Sequence, residues 1–196
     1  KKAIAESNTI NRPGKGDDVR VSTARLQRES WDTANSRTTQ TLVEAAERLP
    51  QELPEGTPAA EVMAHWLNSA RADDAARGVI WPEVSPAQQA AAGSAWHIFP
   101  NMTIGHSITN ALIYRVRPLG REPEKCIFEA AVIELYPEGQ APETEWVHAD
   151  PTGDNWGSVL AQDFSNMEFV QKGMKSSGFR GVMPNPHQEQ KVINLH

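Results

Sequence analysis

The sequence predicts an α+β protein, with helices first, then an antiparallel sheet, then a long helix laid across the open face of that sheet. Three observations carry this. The first half is rich in helix formers and helix-start signals. From Ala95 the texture changes to β-branched and aromatic runs separated by Pro/Gly turns. Finally, Trp156 to Met174 reads as one uninterrupted amphipathic helix.

Taken in order, Lys1 to Arg20 is polar, turn-rich at Pro13 to Asp18, and reads as loop with a short strand at Val19 to Val21. Thr38 to Leu49 predicts a helix with Leu42, Val43, Ala46 and Leu49 on one side, stopped by Pro50 and Pro54. Thr57-Pro58 predicts the next helix start, a threonine cap followed by proline. That helix runs towards Gly78, with Val62, Met63, Trp66 and Leu67 as its apolar side. Ser85-Pro86 opens a short helix over the alanine-rich run to Ala92.

Three strand-like segments follow, Trp96 to Thr103, His106 to Arg117 and Lys125 to Tyr136, a pattern that predicts an antiparallel meander. A polar loop spans Ala141 to Asn155, and a glycine-containing loop from Ser176 to Pro186 leads into a final helix start. We read 1–196 as one partial domain, with 1–94 as a helical and loop layer and 95–196 as the sheet plus the long helix. The ends read as those of a piece cut from a longer protein.

Composition narrows the class. Hydrophobic residues make up 39% and charged residues 22% of 196, the balance of a globular chain with a core. No apolar run approaches the ~18 residues a spanning helix needs, so no membrane role is expected. The formal net charge is −6 with no basic face, which argues against nucleic acid as a partner. The one cysteine, Cys126, excludes an internal disulfide and points to a reducing, cytoplasmic setting. It reads as a small buried hydrophobe near the start of a strand.

The long helix contains an oddity. At about 100° per residue, Trp156, Val159, Leu160, Met167, Val170 and Met174 form one apolar stripe, and Asp163 lies in its middle. A carboxylate on a core-facing stripe is costly unless paired, protonated or bound to a cation. Three arrangements accommodate it: a buried ion pair, an exposed position with the stripe misplaced, or a metal ligand. Gln162 and Asn166 lie close enough to orient a ligand. The acid pair Asp73-Asp74 reads, by contrast, as a solvated helix face.

The motifs then acquire a context. WxIFPN at Trp96 to Asn101, QDFxNMExVQKGM at Gln162 to Met174, and Gln188-Glu189 leading into VINLH resemble the C-terminal part of the catalytic domain in the alpha (large) subunit of Rieske-type aromatic ring-hydroxylating oxygenases. The resemblance covers Trp96 to His196. It implies a helix-grip (START-like) fold, a mononuclear Fe(II) held by two histidines and one aspartate, and Asp163 as that aspartate. Such a facial set leaves open positions for oxygen chemistry.

It further implies hydroxylation of an aromatic or similar apolar substrate with O2 and electrons from NAD(P)H, supplied through ferredoxin and reductase donors. The assembly it implies is a homotrimer or α3β3. The family's closely spaced histidine pair is not present, and one cysteine cannot build the 2Fe–2S Rieske cluster, so both are expected upstream of this chain and the fragment alone is expected to be inactive. Met102, Ile104, Val159 and Leu160 are the expected substrate-pocket wall.

None of the six histidines has helical pair spacing, and a site built from His97, His106 and Asp163 is the only other metal arrangement in view. Trp146 and Trp156 suit the mouth of the sheet or a subunit contact. The alternative from another class is a metal-free helix-grip module that binds a lipid or small molecule, with Asp163 paired to a lysine or arginine.

Overall fold

The computed structural model describes residues 17–34, 38–93, 95–151, 156–187 and 189–195. The predicted class holds: helices precede a four-stranded antiparallel sheet, and a long helix follows it. The helices before the sheet are α1 (Val19–Ala34), α2 (Gln40–Glu52), α3 (Ala59–Ala76) and α4 (Pro86–Ala92). The strands are β1 (Ala95–Ile98), β2 (Met102–His106), β3 (Asn110–Leu119) and β4 (Glu122–Glu134), in the order β1-β2-β3-β4. Helices α5 (Gly157–Met174) and α6 (Gln190–Leu195) end the chain.

The chain divides into two compact units. One comprises Lys1–Val84, Ser107–Ala111 and Ile133–Val147; the other comprises Ser85–His106, Leu112–Val132 and His148–His196.

The first unit is built on α1, α2 and α3. Its core is Leu42, Ala45, Ala46 and Leu49 of α2, Val62, Trp66 and Ala70 of α3, and Val79 and Trp81 just beyond. Alanines at the contact let the α2 and α3 backbones approach, and the Trp66 indole N–H donates to the Leu42 carbonyl at 2.8 Å. Of the predicted apolar side of α3, Val62 and Trp66 are buried, Leu67 packs at the edge and Met63 is exposed.

Four local readings need correction. Val19 to Val21 is not a strand but the first turn of α1. Asp18 caps it, its carboxylate taking the Arg20 backbone N–H at 3.0 Å and its carbonyl taking the Ser22 N–H at 2.9 Å. The buried side of α1 is Arg20, Ser22 and Thr23, so hydrophobic periodicity had no purchase on it. Arg20 is held there by Asp18 and by the carbonyls of Pro50 and Leu53, at 3.3 and 2.5 Å, at the C-terminal end of α2.

Second, Pro50 does not stop α2, which runs to Glu52. Thr39 caps its start by accepting from the Leu42 N–H at 3.3 Å. Third, the cap of α3 is Pro58, one residue later than predicted, because the Thr57 hydroxyl turns back to the Pro54 carbonyl at 2.6 Å. The capping box at Ser85, with Gln88, forms as the sequence implies.

Fourth, Asp74 is not solvated. It is 2% exposed, accepts from the Trp81 indole N–H at 2.7 Å, and pairs with Arg77. Arg77 also donates to the Thr41 hydroxyl, which ties α3 to α2. The end of α3 is a Schellman turn: Gly78 N–H bonds the Ala75 carbonyl at 3.0 Å and Val79 N–H the Asp74 carbonyl at 2.9 Å. Gly78 has φ +85°, a left-handed conformation that favours glycine at this position. Asp74 thus holds the chain on both sides of this turn, by backbone and by side chain.

Asp74→Ala leaves the Trp81 N–H and Arg77 without their acceptor and is expected to cost about 3 kcal/mol. Asp73→Ala, one residue earlier, removes only an open surface pair with Arg48 and is expected to cost about 1 kcal/mol or less. Chemical denaturation of the two variants side by side measures the difference.

Candidate functional site

The second unit carries the sheet and α5. Strand β1 pairs with β2 in the register Ala95↔Gly105, Trp96↔Ile104, His97↔Thr103 and Ile98↔Met102. Phe99-Pro100-Asn101 turns the chain between them, so the single predicted strand Trp96 to Thr103 is two strands. Asn101 does not close on its own backbone. Its side-chain N–H2 donates to the Val116 carbonyl at 2.7 Å and its carbonyl accepts from Val116 N–H at 3.0 Å, fastening the turn to β3.

Strand alternation sorts the side chains by face. The Val116–Asn101 and Ser107–Asn110 backbone bonds set a register in which Thr103 lies opposite Tyr114, and Met102 opposite Arg115. Tyr114 and Phe128 share one face of the sheet, and α5 is seated there. The Phe164 ring meets Phe128 at 5.2 Å between centroids and 77°, and meets Trp156, the residue that precedes α5, at 4.8 Å and 82°. Both are edge-to-face contacts. Further along, the Gln171 side chain donates to the Glu124 carbonyl at 2.8 Å and Lys175 pairs with the Glu124 carboxylate.

This seating relocates the predicted stripe. The side of α5 turned to the sheet is Trp156, Leu160, Ala161, Phe164 and Gln171, all half-buried. Met167, Val170 and Met174 are 50%, 60% and 49% exposed, and Asp163 beside them is exposed. Of the three arrangements open to Asp163, the buried ion pair does not form among the described residues, and the exposed carboxylate stays available to a ligand. Its carboxylate takes no hydrogen bond or ion pair among the described residues. Gln162 and Asn166 are exposed too, and the Asn166 side chain donates to the Gln162 carbonyl at 3.3 Å instead of reaching Asp163.

The expected pocket residues are not brought together. Met102 and Ile104 point to the face opposite α5, whereas Leu160 lies against the sheet on the α5 side. Met102 lines an open groove of about 660 Å³, which also takes in Ile98, Val116, Lys125 and Cys126. Cys126 is exposed there, contrary to the buried position expected, because β4 begins at Glu122 and carries it on the open part of the strand. The side chain of Val159 and residues Gln188 and His196 lie outside the described residues.

The histidines stay apart. His97 contacts the Thr103 hydroxyl at 3.3 Å on one face of the sheet, and His106 lies against Trp96 at 4.6 Å on the other. His65 meets Glu52 at 2.7 Å at the surface of the first unit. Trp146 is exposed. Among the described residues no three His, Cys, Asp or Glu side chains are grouped to hold a metal ion, which removes the His97–His106–Asp163 arrangement. No helix among them is long and apolar enough to cross a membrane.

The feature the sequence did not flag is charged. Glu129 on β4 accepts from Arg117 at 2.7 Å and from Arg115 at 2.5 Å, on the face away from Tyr114 and Phe128. The alternation of Arg115, Arg117 and Glu129 at strand spacing was the available signal.

Fold and site together define a sheet-and-helix domain with an unengaged aspartate on its long helix. The chain belongs to the ring hydroxylating alpha subunit (catalytic domain) family, whose profile matches residues 20–196. That places it in an aromatic ring-hydroxylating oxygenase family, whose members generally use mononuclear iron. The match begins well before Trp96 and takes in the helical layer, which the motifs alone did not reach. No curated protein and no solved structure matches the chain. As a single donor Asp163 suits iron, being a hard oxygen ligand with no competing partner among the described residues, which do not complete the set.

The pair of guanidiniums, Arg117 first, holds the Glu129 carboxyl down to about 2 from the ordinary glutamate value of 4.5. A lowered folded value means the bonds add stability above pH 4.5, and that contribution is lost as pH falls towards about 2. Glu129→Gln is therefore expected to lose less stability than the wild type over that window, measured as unfolding midpoints across an acid series.

Proposed function

We propose that this chain forms part of the oxygenase component that hydroxylates an aromatic or similar apolar substrate with O2, with Asp163 as the carboxylate ligand of its mononuclear iron. The observation that carries the reading is the family match over 20–196 together with the uncommitted Asp163 carboxylate inside the QDFxNMExVQKGM run. Bound Fe(II) supplies open coordination positions for oxygen chemistry. The reading draws two histidine ligands from outside this chain, and electrons ultimately from NAD(P)H by way of ferredoxin and reductase donors and a Rieske centre. One cysteine leaves that centre, too, to another part of the parent protein. A homotrimer or α3β3 assembly belongs to the same reading.

The chain's own contribution is binding and surroundings. Asp163 offers a charged oxygen donor that no other side chain competes for. Gln162 and Asn166 stand beside it as groups able to orient a bound ligand. Met167, Val170 and Met174 offer apolar surface next to the carboxylate, which suits an apolar substrate and keeps water away when the site is closed.

Asp163→Ala in the intact protein is expected to abolish mononuclear iron while leaving the Rieske spectrum unchanged. Metal analysis and visible absorption of the purified variant measure both, and a normal iron content in that variant would sink the assignment.

A further inference from the structure

Asp163 and Phe164 are neighbours on α5, and their surroundings are opposite. The carboxylate is uncommitted, whereas the ring is wedged. Phe164 meets Trp156 at 4.8 Å and Phe128 at 5.2 Å, both edge-on, and Phe128 meets Trp156 at 6.5 Å and 72°, closing a triangle. Tyr114 of β3 extends it, 5.4 Å from Phe128. Trp156 is itself tied down, its indole N–H donating to the Asp150 carbonyl at 2.9 Å. The triangle therefore joins the sheet, the loop before α5 and the helix itself.

We propose that Phe164 is a positioning residue for Asp163: wedged between Trp156 and Phe128, it sets the rotation of α5 about its axis and hence the direction in which the carboxylate projects. The inference rests on the reading of Asp163 as a metal ligand. Successive helix positions differ by about 100°, so whatever fixes the azimuth of residue 164 fixes that of residue 163. A carboxylate carried about 5 Å from the axis moves by about 1 Å for a 10° turn of the helix. Metal–ligand bonds tolerate only about 0.2 Å. A small rotational freedom that leaves the fold intact is thus large on the scale of coordination.

An edge-to-face ring resists such rotation better than an aliphatic side chain, because its contact geometry has a preferred angle as well as a volume. Gln171 and Lys175 reach Glu124 two turns further on and hold the far end of α5, but neither adjoins the carboxylate. Phe169 lies on the same helix and is 70% exposed, outside the triangle.

The test uses the intact protein stripped of mononuclear iron and titrated with Fe(II) without oxygen. Iron affinity and the circular dichroism of the bound ion, which reports ligand arrangement, are the readouts, with far-UV circular dichroism as the check on folding. Phe164→Leu is expected to stay folded, to weaken iron binding about 10- to 100-fold and to alter the spectrum of the bound ion. Phe164→Tyr, which keeps the ring, and Phe169→Leu, which lies outside the triangle, are expected to match the wild type. Phe128→Leu loosens the same wedge from the strand and carries the same expectation as Phe164→Leu, which covers the case in which the latter does not fold. Wild-type affinity and spectrum in Phe164→Leu or Phe128→Leu, alongside an iron-free Asp163→Ala, overturn the positioning role alone. Iron retained by Asp163→Ala overturns the ligand reading and the positioning role with it.

Discussion

One ring set edge-on between two others decides which way the long helix faces. Phe164 fills the angle between Phe128 of the sheet and Trp156 at the helix start. Once that contact is made, Leu160 and Gln171 follow onto the sheet side, and Met167, Val170 and Met174 are left outside. Asp163 goes with the outward set. Its exposure goes with the seating of the aromatic next to it, since the dispersion and quadrupole contacts of that half-buried ring outweigh those of the three thinner side chains on the stripe.

The costly carboxylate predicted for α5 exists elsewhere in the chain. Asp74 is the aspartate that is buried on a helix, and it meets the cost with Trp81, Arg77 and the turn that follows α3. The contrast between the two separates structure from chemistry. Asp74 is fully used by the fold and has nothing left for a ligand. Asp163 makes no hydrogen bond or ion pair among the described residues, so its oxygens are open to another partner. The first unit relies on the same device at Arg20, which Asp18 pairs and orients so that it can cap the carbonyls of Pro50 and Leu53 at the end of α2.

Family membership over residues 20–196 gives the helical layer a place in the catalytic domain. That layer has its own core of leucine, alanine, valine and tryptophan, so it folds by ordinary burial. Exposed apolar side chains are spread along the chain, and on α5 they include Met167, Phe169, Val170 and Met174.

Element type was readable wherever it depends on neighbours a few residues apart. The capping box at Ser85, the run of apolar spacing in α2 and α3, the β-branched strands and the length of α5 all declare themselves locally, and so did the motif that carries Asp163. Helix α1 escaped because its inward side is polar, and Pro50 misled because the helix closes past it, with Leu53 N–H bonding the Leu49 carbonyl at 3.0 Å. What only the tertiary structure decided is which side of each element is buried. A helical wheel ranks positions by apolarity, but the sheet selects among them by shape, and it chose the ring of Phe164 over the stripe that contains Asp163. Burial of Asp74, exposure of Asp163 and Cys126, and the separation of Met102 from Leu160 all follow from contacts between segments far apart in the chain, which no local pattern encodes.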